Sequence, residues 1–226
     1  MIRPLAILIL AVPLAAGDLE SARDRQDRAA LDKIAAEFAA AAGKAGNDPE
    51  AQYRAALAAS FVAEVSLEVR DKEKAQKTAE AGIKAADRAI ALKPGVAEYY
   101  RVLGTLCGQA IAGGNVLTGL SFGKRAKEAI NKALELDPNA SKNWLARAVG
   151  NYYLPPALGG GPDVAIADIK KALELDPKSA DAYLWLGLSL RKAHRNAEAR
   201  QAFQKSMELN PHRVWTKEQL EKTPAS

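Results

Sequence analysis

The sequence predicts an all-α chain in which about four helical hairpins stack into an α-α superhelix, with a capping helix at each end. Three observations predict it. First, apolar and small residues recur at helical spacing: Tyr183, Leu186, Gly187 and Leu190, then Ala199, Phe203, Ser206 and Leu209. Second, one closing phrase returns along the chain, as AIALKP at 89–94, ALELDP at 133–138 and 172–177, and MELNP at 207–211. Third, alanine is abundant and aromatic residues make up 6% of the chain, a balance that favours helix over strand. A lone hairpin cannot bury its apolar face, so a recurring hairpin implies a stack in which each unit rests on the next.

Taken in order, residues 1–17 read MIRPLAILILAVPLAAG: one Arg, an apolar run from Leu5 to Leu14, then small residues. This is the three-part layout of a secretory signal, with cleavage expected before Asp18. The apolar run is shorter than the roughly 20 residues that a spanning helix needs. The expectation is export across the inner membrane into the periplasm, with no stable membrane anchor after cleavage. Residues 18–48 are expected to form an N-terminal capping helix carrying Leu31, Ile34 and Phe38, broken by Gly43, Gly46 and Pro49. The repeat domain then covers 49–211, in units at about 50–94, 95–138, 139–177 and 178–211. Residues 212–226 form a C-terminal cap with Val214, Trp215 and Leu220, and a tail.

The prolines that close the units fall at 49, 94, 138, 177 and 211, so the spacings shrink from 45 to 44, 39 and 34. The extra residues are expected between the first and second helix of a unit. In the first unit they lengthen both helices. In the next two they form Gly-rich loops, 113–123 and 153–162, which should project from one edge and meet as a rim. The first of these loops contains Asn115 and four glycines, Gly113, Gly114, Gly119 and Gly123.

The run Tyr183-x-x-Leu186-Gly187-x-x-Leu190, then Ala199-x-x-x-Phe203, then Pro211, resembles the tetratricopeptide repeat. Leu190 stands for the family's second aromatic and Ser206 for its usual Ala. The resemblance spans about residues 50–211. It implies a solenoid with a concave groove lined by the first helix of each pair: Arg54, Phe61 and Val62; Glu98, Arg101, Thr105 and Gln109; Lys142, Leu145, Val149, Tyr152 and Tyr153; Asp181, Leu184, Leu188, Arg191 and Lys192. It further implies a non-enzymatic scaffold that binds a protein partner. Thr105, Val149 and Leu188 occupy the places where chaperone-binding members carry Asn, so their carboxylate clamp is not implied. A second resemblance, to the T-component accessory proteins of tripartite periplasmic transporters, rests on the insert Pro155-Pro156-Ala157-Leu158-Gly159-Gly160-Gly161 and the long first units. It implies the alternative of a small-molecule-binding or transporter-accessory role, although this chain lacks the lipidation cysteine.

The candidate binding residues, on groove and rim, are therefore Arg101, Gln109, Asn115, Arg147, Asn151, Tyr152, Tyr153, Arg191 and Lys192. Arg147 and Asn151 break the pattern where packed residues are expected, and as buried polar groups they require partners. They are expected to brace the insert loops.

Other chemistries find little support. The 32 basic and 27 acidic residues are interspersed, without the clustered basic stripe of a nucleic-acid surface. His194 and His212 lack ligand-spaced companions, so no metal or other cofactor is expected. Gly159-Gly160-Gly161-Pro162 lacks the Lys-Ser/Thr of a phosphate loop, and no catalytic set stands out. Cys107 has no second cysteine to pair with and fits a packed core position.

Overall fold

The computed structural model describes residues 16–225. The expected signal segment lies outside the described residues except for Ala16 and Gly17, which open the first helix. Eleven α-helices follow in order: α1 Ala16–Asp24, α2 Arg28–Lys44, α3 Pro49–Glu68, α4 Lys72–Leu92, α5 Ala97–Gly113, α6 Val116–Leu136, α7 Ser141–Tyr153, α8 Pro162–Leu175, α9 Ala180–Lys192, α10 Asn196–Leu209 and α11 Val214–Glu221. No strand occurs among the described residues. The chain is thus an all-helical solenoid: α3/α4, α5/α6, α7/α8 and α9/α10 are hairpins, and each first helix also packs on the preceding second helix.

The helix starts follow from local chemistry. Asp27, Asp48, Asp71 and Ser179 accept backbone N–H groups of the first turn of α2, α3, α4 and α9. Pro49 and Pro162 sit where a helix has no use for an N–H donor. Gly82, Gly104 and Gly187 are needed for close approach. A Cβ on Gly82 would meet the Ala59 Cβ at 2.7 Å, on Gly104 the Ile130 side chain at 2.6 Å, and on Gly187 the Phe203 ring at 2.5 Å.

Two sequence expectations are corrected. Residues 18–48 do not form a single capping helix: the chain turns at 25–27, with Gln26 left-handed at φ 53°, so the N-terminal cap is itself a pair, α1 and α2. The expected loop at 113–123 is helix from Val116 onward. Asn115 caps it, accepting the N–H groups of Leu117 and Thr118, while the Thr118 hydroxyl accepts the Asn115 N–H in return. A reciprocal cap of this kind outweighs the modest helix penalty of Gly119 and Gly123. The extra residues of the second unit therefore lengthen its helices, as in the first. Only the third unit carries an insert loop, at 154–161, and the expected rim of two adjoining loops does not form.

The main core lies between α3, α4, α5 and α6, with Ala56, Ala59, Ala63, Ala79, Ile83, Leu103, Leu106 and Cys107. The Cys107 side chain is fully buried, and burial pushes its thiol up to about 11. A second core, around Phe203, Leu184, Leu188 and Ile166, joins α8, α9 and α10, with Trp215 and Leu220 of α11 packed on it.

Candidate functional site

The inner wall of the solenoid is built by α3, α5, α7 and α9, but its two ends are covered. At the first end Leu19 and Ala22 of α1 pack on Ala58, Val62 and Val65 of α3. At the last end Trp215 and Leu220 of α11 pack on the cluster that holds Leu184, Leu188 and Phe203. Val62, Leu184 and Leu188, expected on the groove lining, are therefore core residues.

The two ends are also tied to each other. Arg23 donates to Asp181 at 2.9 Å, joining α1 to α9. Arg213, only 2% exposed, donates to Glu64 at 2.7 Å and to both carboxylate oxygens of Glu68, joining the start of α11 to α3. Asn210 donates to Asp24 at 2.7 Å, and Gln26 to Glu68 at 2.8 Å. Burial raises the Glu68 carboxyl to about 7, against the lowering by Arg213. Burial alone would also raise Asp181, yet Arg23 and Arg213 hold it below the usual carboxylate range.

Between these covered ends an aromatic wall remains. Tyr152 and Tyr153 close α7, with ring centroids 5.0 Å apart and edge to face. Trp185 of α9 stands 5.6 Å from Tyr152 and 6.1 Å from Tyr153, and Trp215 lies 5.8 Å beyond it. Tyr153 is the accessible member, 57% exposed. Its hydroxyl is nonetheless pushed up to about 12 by the protein around it, by Tyr152 and by the charges of Glu64 and Glu68. Glu98 and Arg101 form a two-pronged pair on α5 at 2.7 and 2.6 Å, and the Tyr53 hydroxyl donates to Glu98 at 3.0 Å. Burial would raise Glu98, but the Arg101 guanidinium holds its carboxyl down, with a further contribution from the exposed Lys142.

The other candidate residues have structural partners. Gln109 is buried and donates to the Ser60 carbonyl at 3.0 Å. Asn115 caps α6 at the solenoid edge. Arg147 grips Asp168 of α8 with two hydrogen bonds, 3.0 and 2.6 Å, and lies 4.4 Å over the Trp144 ring. Asn151 donates to the same Asp168 at 2.8 Å, and its carbonyl accepts the Gly161 N–H at 2.8 Å. This network fixes both ends of the 154–161 insert. Arg191 is spent on Gln219 and Thr223 of the C-terminal cap. Lys192 donates to the Tyr152 carbonyl and sits 4.4 Å over the Tyr152 ring. Of the nine candidates, Arg101, Tyr152 and Tyr153 share the interior wall.

The Arg23/Arg213 cluster was missed by sequence reasoning. Its partners lie far apart in the chain, and no periodicity links them. One signal existed: Glu64 and Glu68 are four apart on one helix face, a like-charge pair that is unfavourable unless a cation meets it. Among the described residues no group of three His, Cys, Asp or Glu side chains could hold a metal ion. The wall offers packed rings and fixed charges.

Comparison with known proteins agrees with this architecture. Residues 17–154 match the family model described as regulator of microtubule dynamics protein 1-3, and residues 169–201 match a tetratricopeptide repeat model. The small glutamine-rich tetratricopeptide repeat-containing protein 2 of Mycosarcoma maydis is 36% identical over 99 residues, 44% of this chain. The match spans about a quarter (26%) of that relative's length. Among solved structures, a thermophilic tetratricopeptide repeat protein of Thermus thermophilus is 20% identical, with TM-score 0.60, covering 91% of this chain and 98% of that one. The HusA haemophore of Porphyromonas gingivalis, also 20% identical, gives TM-score 0.52 over 88% of this chain and 96% of that one. At such identities the two structures speak for the fold alone.

Proposed function

We propose a function from one premise, that the chain belongs to the family of regulator of microtubule dynamics protein 1-3 and carries tetratricopeptide repeats: it is a non-enzymatic scaffold that holds a protein partner on its inner wall. The carrying observation is Tyr153. In a wall whose other rings are packed, it keeps more than half its surface open while its ring stands edge-on to Tyr152 of α7 and Trp185 of α9. Such a ring accepts an apolar side chain, while the exposed Lys142, at the other end of α7 and about 16 Å along it, can pair with an acidic group further along an extended segment. The covered ends confine a partner to the middle of the wall, between α5 and α7.

Export into the periplasm belongs to the same proposal, supported by the three-part layout of residues 1–17. The small-molecule alternative draws on a two-loop rim, and α6 occupies the place of one of those loops.

The test is affinity capture from the cell envelope with wild-type bait and with Tyr153→Ala and Lys142→Glu baits. The expected result is a partner held by wild type and weakened about tenfold or more by Tyr153→Ala, with an unchanged melting temperature, as for a packed aromatic anchor. Equal recovery on all three baits would sink the reading. Amino-terminal sequencing of the envelope protein checks the location; a chain still beginning at Met1 would contradict removal of the signal.

A further inference from the structure

The first two turns of α6 carry an apolar surface that the fold does not use. Val116, Leu117 and Leu120 are 80, 71 and 77% exposed. The opposite face of the same helix supplies the packing, through Thr118, Phe122, Ala126, Ala129 and Ile130. The segment is held firmly. Asn115 and Thr118 cap it reciprocally, and a Cβ on Gly113 would meet the Lys72 carbonyl at 2.7 Å, so the α5–α6 turn rests directly on the start of α4.

Charge stands beside the apolar tip. Lys124 and Lys127 are exposed one and two turns further along the face that carries Leu117 and Leu120. Arg70 and Lys72, also exposed, lie on the adjoining α3–α4 turn. Glu128, 3.6 Å from Lys124, and Glu73 oppose them, leaving four positive groups against two negative. A convex aliphatic tip backed by lysines is the arrangement that lies in a bilayer interface, with apolar side chains below the headgroups and ammonium groups level with the phosphates. Three side chains fall far short of the roughly 20–30 residues per side of a stable protein interface, which argues against a second copy as the occupant. A bilayer needs no such matched area.

We propose that the first two turns of α6 dock reversibly on an anionic lipid surface, through Val116, Leu117 and Leu120 with Lys124 and Lys127. The contact uses none of the inner-wall residues and stands independently of the partner reading.

The test places a reporter at the tip: Leu120→Trp in the full chain, mixed with phosphatidylcholine vesicles with and without phosphatidylglycerol, bearing brominated acyl chains. The expected result is a blue shift and bromine quenching of the added tryptophan on the anionic vesicles. Leu117→Asp abolishes the shift, and Lys124→Gln or Lys127→Gln weakens partition about fivefold each. These side chains are exposed, and melting temperatures within error of wild type confirm that each variant is folded. Three outcomes overturn the proposal. The added tryptophan stays unshifted while the chain sediments with vesicles through another segment, the shift is equal on neutral vesicles and indifferent to the lysines, or it grows with protein concentration in the absence of lipid.

Discussion

From α3 to α6 the helices are 17 to 21 residues long and meet largely through alanine; from α7 to α10 they are 13 or 14 residues long and meet through rings and leucines. The two differences belong together. An alanine-lined interface lets helix axes approach closely but buries little area per residue, so it needs length. An aromatic side chain buries about 150–250 Å² by itself, so a short hairpin built on Phe203 and Trp185 suffices. The boundary falls at the α6–α7 turn, residues 137–140; the first family match runs one helix past it, to residue 154 at the end of α7. The halves are fastened by packing along the stack and by Arg23 and Arg213, which reach across it.

The sharpest way to break the comparison is to cut that fastening. Arg213→Ala leaves Glu64 and Glu68 without their cation, and a loss of about 3–5 kcal/mol is expected in chemical denaturation. If the clasp couples the halves, the variant unfolds in two steps where wild type unfolds in one. The same site has a pH signature. Native Glu68 keeps its proton to about 7, whereas the unfolded side chain releases it near 4.5. The native state therefore binds more protons in that window, and the contribution of Glu68 to stability falls as pH rises from about 4.5 to 7. Glu68→Gln should flatten that slope relative to wild type in urea titrations at successive pH values.

Smaller effects separate the two packing styles. Gly82→Ala sets a new methyl 2.7 Å from the Ala59 Cβ, which has no rotamer with which to yield. Gly187→Ala presses on the Phe203 ring at 2.5 Å. Each should cost about 1–3 kcal/mol. Hydrogen exchange should show the loosening spread along the long helices for Gly82→Ala, and confined to α9 and α10 for Gly187→Ala. At the small end, Gly119→Ala adds a methyl that meets nothing, inside a helix. It should raise stability by about 0.5–1 kcal/mol, read as a higher melting temperature.

These halves also differ in how plainly the sequence announces them. The α9/α10 hairpin follows from Tyr183, Gly187, Ala199, Phe203 and Pro211, because its packing is local and its spacing standard. The lengthened α6 was hidden by its glycines, since the reciprocal cap at Asn115 and Thr118 decides the issue and composition does not. Arg147 and Asn151 were visible as misfits, and their common partner Asp168 lies within the same hairpin. The Arg23–Asp181 and Arg213–Glu64 contacts were illegible because they depend on the curvature of the whole stack, a quantity that no short window contains.

Cys107 sits in the alanine-lined half with no exposed surface and no second cysteine in the chain. An alkylating reagent can thus reach sulfur only when α5 parts from its neighbours, and labelling speed becomes a clock for that opening. With no added probe, the chain carries its own gauge of whether an occupant of the inner wall, or a lipid at the start of α6, slows the parting of its first half.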